Sequence, residues 1–183
     1  MTRFLDLTFS FFGLVLAFPV LVVLTFIGLF DTGSPIFLQE RVGRHKRPFT
    51  LVKFRTMKKN TASVASHLAS SASITTFGHF LRRTKLDELP QLWNVLKGDM
   101  SLVGPRPGLF NQKELTAARD KHNVFAVRPG ITGLSQISDI DMSTPELLAE
   151  TDAKMIANKS LKSYFKYILM TVIGKGQGDA ASR

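Results

Sequence analysis

The sequence predicts an α+β fold that is mainly helical, with an N-terminal membrane helix, a short β-hairpin and amphipathic helices at a membrane surface. Three observations support this prediction. Residues 9–30 carry no charge and are largely apolar, two short segments rich in β-branched and aromatic residues follow, and apolar residues recur at helical spacing near the C-terminus. Strand and helix periods thus occur in separate parts of the chain, as in α+β proteins.

The N-terminal apolar segment belongs in a membrane. At about 20 residues it is long enough to cross the hydrocarbon core and too long for the core of a signal peptide. Pro19 lies near its middle, where a proline removes a backbone hydrogen bond and kinks a helix. Each half is then about 15 Å long, half the hydrocarbon thickness. These residues leave two topologies open, a kinked spanning helix and a helix that re-enters one leaflet.

The predicted hairpin consists of strands at Ile36–Arg41 and Phe49–Met57, joined by a turn at Gly43–Pro48. Successive side chains of a strand point to opposite faces, so Lys53 and Arg55 share one face of the second strand. Two cations on one face bind a common anionic ligand, or they are solvated side chains.

The segment after the hairpin changes in character along its length. Residues 61–76 are rich in Ser, Ala and Thr and carry no Lys, Arg, Asp or Glu, which favours a mobile loop. Arg82, Arg83 and Lys85 then follow within four residues. These cations are equally compatible with phosphate binding and with simple charge balance.

The sign of the charge reverses at residue 87. Residues 41–86 contain eleven Lys or Arg and no Asp or Glu, and Asp87 and Glu88 are the first carboxylates after them. Pro90 fits the first turn of a helix, which predicts a helix from near Glu88 to Gly98. A helix N-terminus favours anions, which helps to keep Asp87 ionised and also favours the binding of a phosphate. One interpretation is that Asp87 is a nucleophile and that Glu88 holds a divalent metal or transfers a proton. The other is that the two residues merely cap the helix electrostatically.

Two stiff segments place arginines on rigid backbone. Pro105, Arg106 and Pro107 form the first segment, and Arg128 opens the second, which continues as Pro-Gly-Ile-Thr-Gly. Proline restricts its own backbone and that of the preceding residue, so the direction of each arginine is fixed. A guanidinium held in this way suits bidentate phosphate recognition.

Two helices are predicted in the C-terminal part of the chain. The first covers Glu146–Ala157, with Pro145 at its start, and the second carries an apolar stripe flanked by lysines. Such a helix lies on an anionic membrane or packs on the core of the domain, and we expect core packing. The stripe consists of Leu161, Tyr164, Phe165, Ile168, Leu169 and Val172.

Composition limits the class of function. The formal net charge of +10 indicates an anionic partner, which is nucleic acid, an anionic membrane or a phosphorylated substrate. The absence of cysteine excludes disulfides and thiolate metal sites. The four histidines are scattered without metal-ligand spacing.

Taken together, these motifs resemble the bacterial sugar transferase family, the monotopic phosphoglycosyl transferases. The resemblance rests on the proline-containing apolar segment and on the sequences RVGRHKRPFTLVKFRTM, FGHFLRRTKLDELPQLWNVLKGDMSLVGPRP and RPGITGLSQIS. It implies a re-entrant membrane helix at residues 1–32 and a cytoplasmic catalytic domain with interfacial helices at residues 33–183. It also implies a location at the cytoplasmic face of the bacterial inner membrane, in contact with membrane lipids.

The same resemblance implies an activity and a site. The family transfers a sugar phosphate from a UDP-sugar to undecaprenyl phosphate with Mg²⁺, in the first membrane step of glycoconjugate assembly. Asp87 then corresponds to the nucleophile, and Glu88 to its partner in catalysis and metal binding. The expected substrate- and phosphate-binding residues are Lys53, Arg55, Arg82, Pro105, Arg106, Pro107 and Arg128.

Two alternatives of other classes are a membrane-anchored nucleic-acid-binding module and a non-catalytic scaffold for glycan assembly. The basic tract lacks Tyr and Trp, whereas single-strand binding uses aromatic side chains for stacking. We therefore expect no nucleic-acid partner. The sequence does not identify the sugar, and it leaves the oligomeric state open, a homodimer included.

Overall fold

The computed structural model describes residues 2–59, 61 and 71–174 of the 183-residue chain. Within these ranges the chain forms helices and short strands, with 3₁₀ turns at Arg44–Lys46, Ser71–Ser73, Leu86–Glu88 and Val124–Ala126. The helices are α1 Thr2–Thr32, α2 Thr76–Thr84, α3 Gln91–Lys97, α4 Lys113–Lys121, α5 Leu134–Ile137, α6 Pro145–Ala157 and α7 Leu161–Val172. The strands are β1 Ile36–Val42, β2 Pro48–Phe54, β3 Ser101–Val103 and β4 Gly130–Thr132. Most of the predicted loop at residues 61–76 lies outside the described residues.

Helix α1 is long and apolar enough to cross a membrane, with a mean hydropathy of 2.6 over its most apolar 18 residues. It continues through Pro19 without interruption. A proline within a helix removes one donor and bends the axis, but the hydrogen bonds on either side can still form. Pro19 therefore does not end the helix, and the re-entrant topology remains a prediction.

Helix α1 contacts the rest of the protein along one face. Its more buried positions recur every three or four residues, which places them on one stripe of a helix. Leu24 packs near Phe54 and Leu81, and the Cα of Gly28 lies so close to Pro35 that an added Cβ would approach the proline Cβ to 2.8 Å. Apolar side chains cover the other faces and are exposed. The stripe consists of Asp6, Ser10, Gly13, Ala17, Leu21, Leu24 and Gly28.

Asp6 fixes the N-terminal end of α1 to the rest of the protein. Its carboxylate is 3% exposed and accepts hydrogen bonds from Ser101 Oγ at 2.9 Å, Leu102 N at 3.0 Å and Tyr164 Oη at 2.9 Å. Burial and the neighbouring carboxylate raise the pKa of Tyr164, so its hydroxyl stays protonated and donates. Strand β3 and helix α7 are thereby joined to α1.

Strands β1 and β2 form the predicted antiparallel hairpin, in a register that pairs Phe37 with Lys53. The second strand ends at Phe54 rather than at Met57. The backbone N–H of Arg55 still donates to Pro35 O, and Met57 forms a separate bridge with Ile74. The next partner in the register is Pro35, which has no backbone N–H to donate back to Arg55, so the ladder of the strand ends there.

Strands β3 and β4 form a parallel pair that the sequence did not predict. Gly104 and Gly130 allow the two backbones to meet there, since a Cβ on Gly130 would lie 2.0 Å from Gly104 N. Strands of three residues show no periodicity in a sequence. This pair holds the Pro105–Pro107 segment close to the segment that begins at Arg128.

The C-terminal helices agree with the prediction. Helix α6 starts with Pro145, and Ser160 caps α7 by accepting a hydrogen bond from Ser163 N. Tyr164 of α7 is buried in the main hydrophobic core, whereas Phe165 and Leu169 are 46% and 61% exposed. The predicted apolar stripe thus supplies one side to the core and leaves the other side uncovered.

Candidate functional site

The acidic pair lies in a buried turn between two helices. Lys85 ends α2 in the left-handed conformation, with φ of 57°, and Leu86–Glu88 then form a 3₁₀ turn. Helix α3 begins only at Gln91, so the predicted helix start near Glu88 is wrong by three residues, although its end at Gly98 is confirmed. The turn precedes α3 in the chain because the left-handed conformation of Lys85 changes the direction of the backbone at the end of α2. The hydrogen bonds of α3 therefore start a few residues later.

Both carboxylates are almost fully buried, with Asp87 2% and Glu88 8% exposed. The 3₁₀ turn packs against β2 and α2. Arg106 Nη2 lies 3.1 Å from Glu88 Oε1 and forms an ion pair with it. A buried charge is costly unless it is paired, so Arg106 offsets part of the cost of burying the acidic turn.

Lys85 adds a further cation at this turn. Burial lowers the pKa of Lys85, and the neighbouring charge of Glu88 opposes that effect. Arg106 acts in the same direction as burial, since a like charge disfavours the protonated amine. Cations from two segments therefore lie near Glu88, which is an arrangement that suits phosphate binding.

Lys53 and Arg106 line one small cavity of about 10 Å³, together with Arg41, Gln91 and Pro107. Lys53 is itself buried. Helix α3 supplies Gln91 from its first turn, and β2 supplies Lys53. Among the predicted residues, the structure thus brings Lys53, Arg106 and Pro107 together at this cavity, and Arg106 links the cavity to the acidic turn through its ion pair with Glu88.

Lys53 and Arg55 do share a side of the hairpin, as predicted. The Nζ of Lys53 and the Cζ of Arg55 lie 5.8 and 5.2 Å from the centre of the Phe37 ring. The Nε of Arg55 donates to Ser34 O at 2.9 Å. Arg55 thus contacts the hairpin base near the end of α1.

Arg82 lies in the last turn of α2, close in sequence to the acidic pair. Its Nε donates to Thr56 Oγ1 at 2.9 Å. This hydrogen bond joins α2 to the end of the hairpin and fixes the direction from which the chain enters the acidic turn. The role of Arg82 in phosphate binding remains a prediction.

Arg128 lies at a different cavity. This second cavity has a volume of about 200 Å³, and its lining includes Arg3, Asp6, Pro105 and Tyr164 beside Arg128. The Nε of Arg128 donates to Gly98 O at 2.8 Å. Pro105 lines the larger cavity and Arg106 lines the smaller one, so consecutive residues of the proline-rich segment face the two spaces.

The chemistry of the acidic turn fits a magnesium ion. Magnesium usually binds one or two carboxylates and completes its shell with water and substrate phosphates. Asp87 and Glu88 offer such a pair of oxygen ligands next to the Arg106 guanidinium, a group suited to phosphate recognition. No cluster of three or more His, Asp or Glu that could hold a metal occurs in the described ranges, so a dedicated cage of protein ligands is not the arrangement there.

Sequence reasoning missed Arg41, Gln91 and Arg119 at or behind this site. Arg41 and Gln91 line the smaller cavity, and Arg119 is 2% exposed behind the Arg106 backbone. The sequence does contain a signal for Arg119, because it follows Leu115 and Ala118 at helical spacing. A charged residue on the apolar stripe of a helix indicates a buried interaction.

The fold and the site together define a class of protein. A long apolar helix docks on a small α+β domain, which contains a buried carboxylate pair with Arg106 bound to Glu88 and a cavity lined by basic side chains. This combination is suited to an enzyme that acts on phosphorylated substrates at a membrane. The chain belongs to the bacterial sugar transferase family, whose family model matches residues 1–176, and it is therefore a transferase.

Individual relatives show the same relationship. The chain is 38% identical to a UDP-galactose-lipid carrier transferase of Erwinia amylovora over 93% of its own length and 40% of the relative's length. It is 39% identical to an undecaprenyl-phosphate galactose phosphotransferase of Salmonella typhimurium, over 78% of the chain and 35% of the relative. A UDP-glucose:undecaprenyl-phosphate glucose-1-phosphate transferase of Caulobacter vibrioides is 36% identical, over 93% of the chain and 67% of the relative. The chain thus spans less than half the length of the first two relatives.

Proposed function

We propose that the protein transfers a sugar 1-phosphate from a UDP-sugar to undecaprenyl phosphate and releases UMP. The observation that carries this proposal is the buried Asp87–Glu88 turn with Arg106 paired to Glu88 at 3.1 Å. The names of the relatives supply the lipid acceptor and, for two of them, the UDP-sugar donor. Cations from β2 and the proline-rich segment lie where a diphosphate would need its charge offset.

The proposed reaction has two displacements at one phosphorus. A carboxylate oxygen of Asp87 attacks the β-phosphorus of the UDP-sugar, the bond from that phosphorus to the bridging oxygen breaks, and UMP leaves with the electron pair. A phosphate oxygen of undecaprenyl phosphate then attacks the same phosphorus and releases the Asp87 carboxylate. The product is undecaprenyl diphosphate-sugar, and the enzyme is regenerated.

The surrounding side chains make the first displacement possible. A carboxylate and a diphosphate repel each other, so positive charge must lie at the site before they approach. Arg106, held by Glu88, and Lys53 supply part of that charge. Magnesium, when bound by Glu88, Asp87 and substrate phosphates, would neutralise the remaining charge.

The cavity at Arg128 gives a location for the nucleotide. A lining with Arg3 and Arg128 offers two cations in a space of about 200 Å³. The adjoining smaller cavity of about 10 Å³ has room for little more than a water molecule. We place the UMP part of the donor in the larger cavity and the transferred phosphate near Asp87.

The docking of α1 supports a monotopic placement. Both ends of the helix contact the same domain, through Asp6 and Arg3 at one end and Gly28 at the other. A helix that crossed the bilayer would carry one of its ends about 30 Å away from a cytoplasmic domain. We therefore place both ends of α1 on the cytoplasmic side of the inner membrane, with the exposed apolar side chains in lipid.

The test is a transfer assay with a panel of UDP-sugars and undecaprenyl phosphate, in which UMP release is measured. We expect one or a few donors to release UMP, and Asp87→Asn to abolish release. Asp120→Asn is the matched control, because it removes an exposed carboxylate that pairs only with Lys46 among the contacts of the described residues. Release of UMP by Asp87→Asn at a rate near that of the wild type would contradict the assignment of the nucleophile.

The covalent step has a separate test. With the UDP-sugar alone, the wild-type protein should gain the mass of a phosphosugar on a peptide that contains Asp87. A direct transfer between the two substrates leaves the protein unmodified. Active enzyme that never carries the added mass, even after rapid acid quenching, would replace the covalent route by direct transfer.

A further inference from the structure

The segment that carries Arg106 is held by its carbonyl groups. Proline has no backbone N–H, so Pro105 and Pro107 cannot anchor the segment by donating hydrogen bonds. Each carbonyl from residue 105 to residue 108 instead accepts one. The donors are Gly130 N to Pro105 O at 2.8 Å, Arg119 Nη1 to Arg106 O at 2.8 Å, Arg41 Nη1 to Pro107 O at 3.0 Å and Val42 N to Gly108 O at 3.0 Å.

The donor to Arg106 O is itself held in a fixed direction. Arg119 Nε and Nη2 lie 3.1 and 2.6 Å from Asp152 Oδ2, and both residues are almost inaccessible to solvent. Ser135 Oγ donates to the other carboxylate oxygen of Asp152 at 2.9 Å. A guanidinium whose Nε and Nη2 are hydrogen-bonded to a carboxylate has a fixed orientation, so its Nη1 donates in one direction only. The acceptor in that direction is the carbonyl of Arg106.

Stability alone gives little reason for such a pair. Burying two charges costs several kcal/mol for each ion, and a buried ion pair can often be replaced by apolar side chains without loss of stability. Burial raises the pKa of Asp152, and the charge of Arg119 opposes this rise. What an apolar pair could not supply is the directed hydrogen bond to the Arg106 backbone.

We propose that Arg119, oriented by Asp152, is a positioning residue that fixes Arg106 against Glu88. This inference rests on the proposed function, because it assigns Arg119 a role in the same phosphate site. The hydrogen bond turns the Arg106 carbonyl towards α4, while the Arg106 side chain reaches the acidic turn. Without it, the Arg106 carbonyl can shift within the limits that the flanking prolines leave, and the guanidinium of Arg106 moves away from its position against Glu88.

The key variant is the double substitution Arg119→Met with Asp152→Leu. It removes both charges and keeps the core filled, so the thermal stability should stay close to that of the wild type. We expect kcat/KM for UMP release to fall about 10- to 100-fold, since small displacements of a charge-stabilising group have effects of this size. Lys121→Met is the matched control. Lys121 lies on α4, as Arg119 does, and its replacement removes an exposed ion pair with Glu146 of α6.

The double-mutant comparison with Arg106→Ala separates positioning from a general structural effect. If Arg119 acts through Arg106, the apolar pair should cause almost no further loss of activity in the Arg106→Ala background. In the otherwise wild-type chain, the variant with Arg119→Met and Asp152→Leu should change kcat and KM in the same proportion as Arg106→Ala does. Losses that multiply in the combined variant, or wild-type activity of the folded apolar variant, would overturn the proposal.

Two outcomes need their own controls. If the variant with Arg119→Met and Asp152→Leu does not fold, Asp152→Asn takes its place. Asp152→Asn keeps the side-chain volume and removes the charge that orients Arg119, and it is compared with Arg106→Ala in the same way. A wild-type protein that releases no UMP from any donor contradicts the proposed function and with it this role. An active wild type with an unimpaired Arg106→Ala variant overturns the positioning role alone.

Discussion

Replacement of Asp6 by alanine should loosen the contact between α1 and the rest of the protein. The Asp6 carboxylate accepts hydrogen bonds from three buried donors, Ser101 Oγ, Leu102 N and Tyr164 Oη. A buried donor that loses its partner costs about 1–3 kcal/mol. Taking the low end for each donor, the free energy of unfolding should fall by about 3 kcal/mol.

This loss corresponds to a measurable change in melting temperature. For a protein of this size, about 1 kcal/mol shifts Tm by about 2–4 °C, so Asp6→Ala should melt about 6–12 °C lower. Asp6→Asn keeps one carbonyl acceptor, so its melting temperature should lie between those of the wild type and Asp6→Ala. The measurement is the fraction of purified protein in lipid nanodiscs that stays soluble after heating, which does not depend on activity.

Asp31→Ala is the control at the opposite end of α1. Asp31 is exposed and accepts a hydrogen bond only from Thr75 Oγ1 in the described contacts, so its loss should change Tm by no more than about 2 °C. An Asp6→Ala variant that melts within about 2 °C of the wild type would refute the reasoning, because the three donors would then have found other partners.

Three further predictions concern the site and the membrane. Arg128→Ala should raise KM for the UDP-sugar about 10-fold with a smaller change in kcat, since it removes a donor from the cavity that we propose for the nucleotide; an unchanged KM would place the nucleotide elsewhere. Chelation of divalent ions should stop UMP release and added Mg²⁺ should restore it, whereas full activity in excess chelator would exclude a role for the metal. Single cysteines placed at Thr2 and Thr32 should both react with a label in inverted vesicles and should not react from outside intact cells. Pro19→Leu should make part of the Thr2→Cys protein reactive from outside the cells. External labelling of Thr2→Cys in the chain that retains Pro19 would show a spanning helix.

The sequence predicted those parts of the fold whose signals are local. The hairpin follows from β-branched and aromatic residues on both sides of a turn, and α6 follows from Pro145 and apolar periodicity. Asp87 and Glu88 stood out because the charge changes sign at that point of the chain. Their burial, and the pairing of Glu88 with Arg106, depend on segments brought together only in the fold.

The remainder depends on contacts between distant residues. Strands β3 and β4 are three residues long and pair across an interval of more than 25 residues, as the partners Ser101 and Gly130 show. Asp6 reads in the sequence as a polar residue ahead of an apolar run, yet it binds groups near residues 101 and 164. No local period records such partners, because each is set by packing between elements.

The docking of α1 has a consequence for where and when the enzyme can become active. Arg3 donates to Leu96 O near the end of α3 and to Met100 O just before β3. Leu24 packs beside Phe54 and Leu81, whose elements lead to or support the acidic turn. The apolar outer faces of α1 require lipid, whereas its inner face completes the core. We therefore expect the site to become complete only when α1 has reached a lipid surface, and we expect protein kept away from lipid to lack this part of its core. A soluble fragment made by deleting residues 2–32 should accordingly be a poor substitute for the whole chain in inhibitor screening.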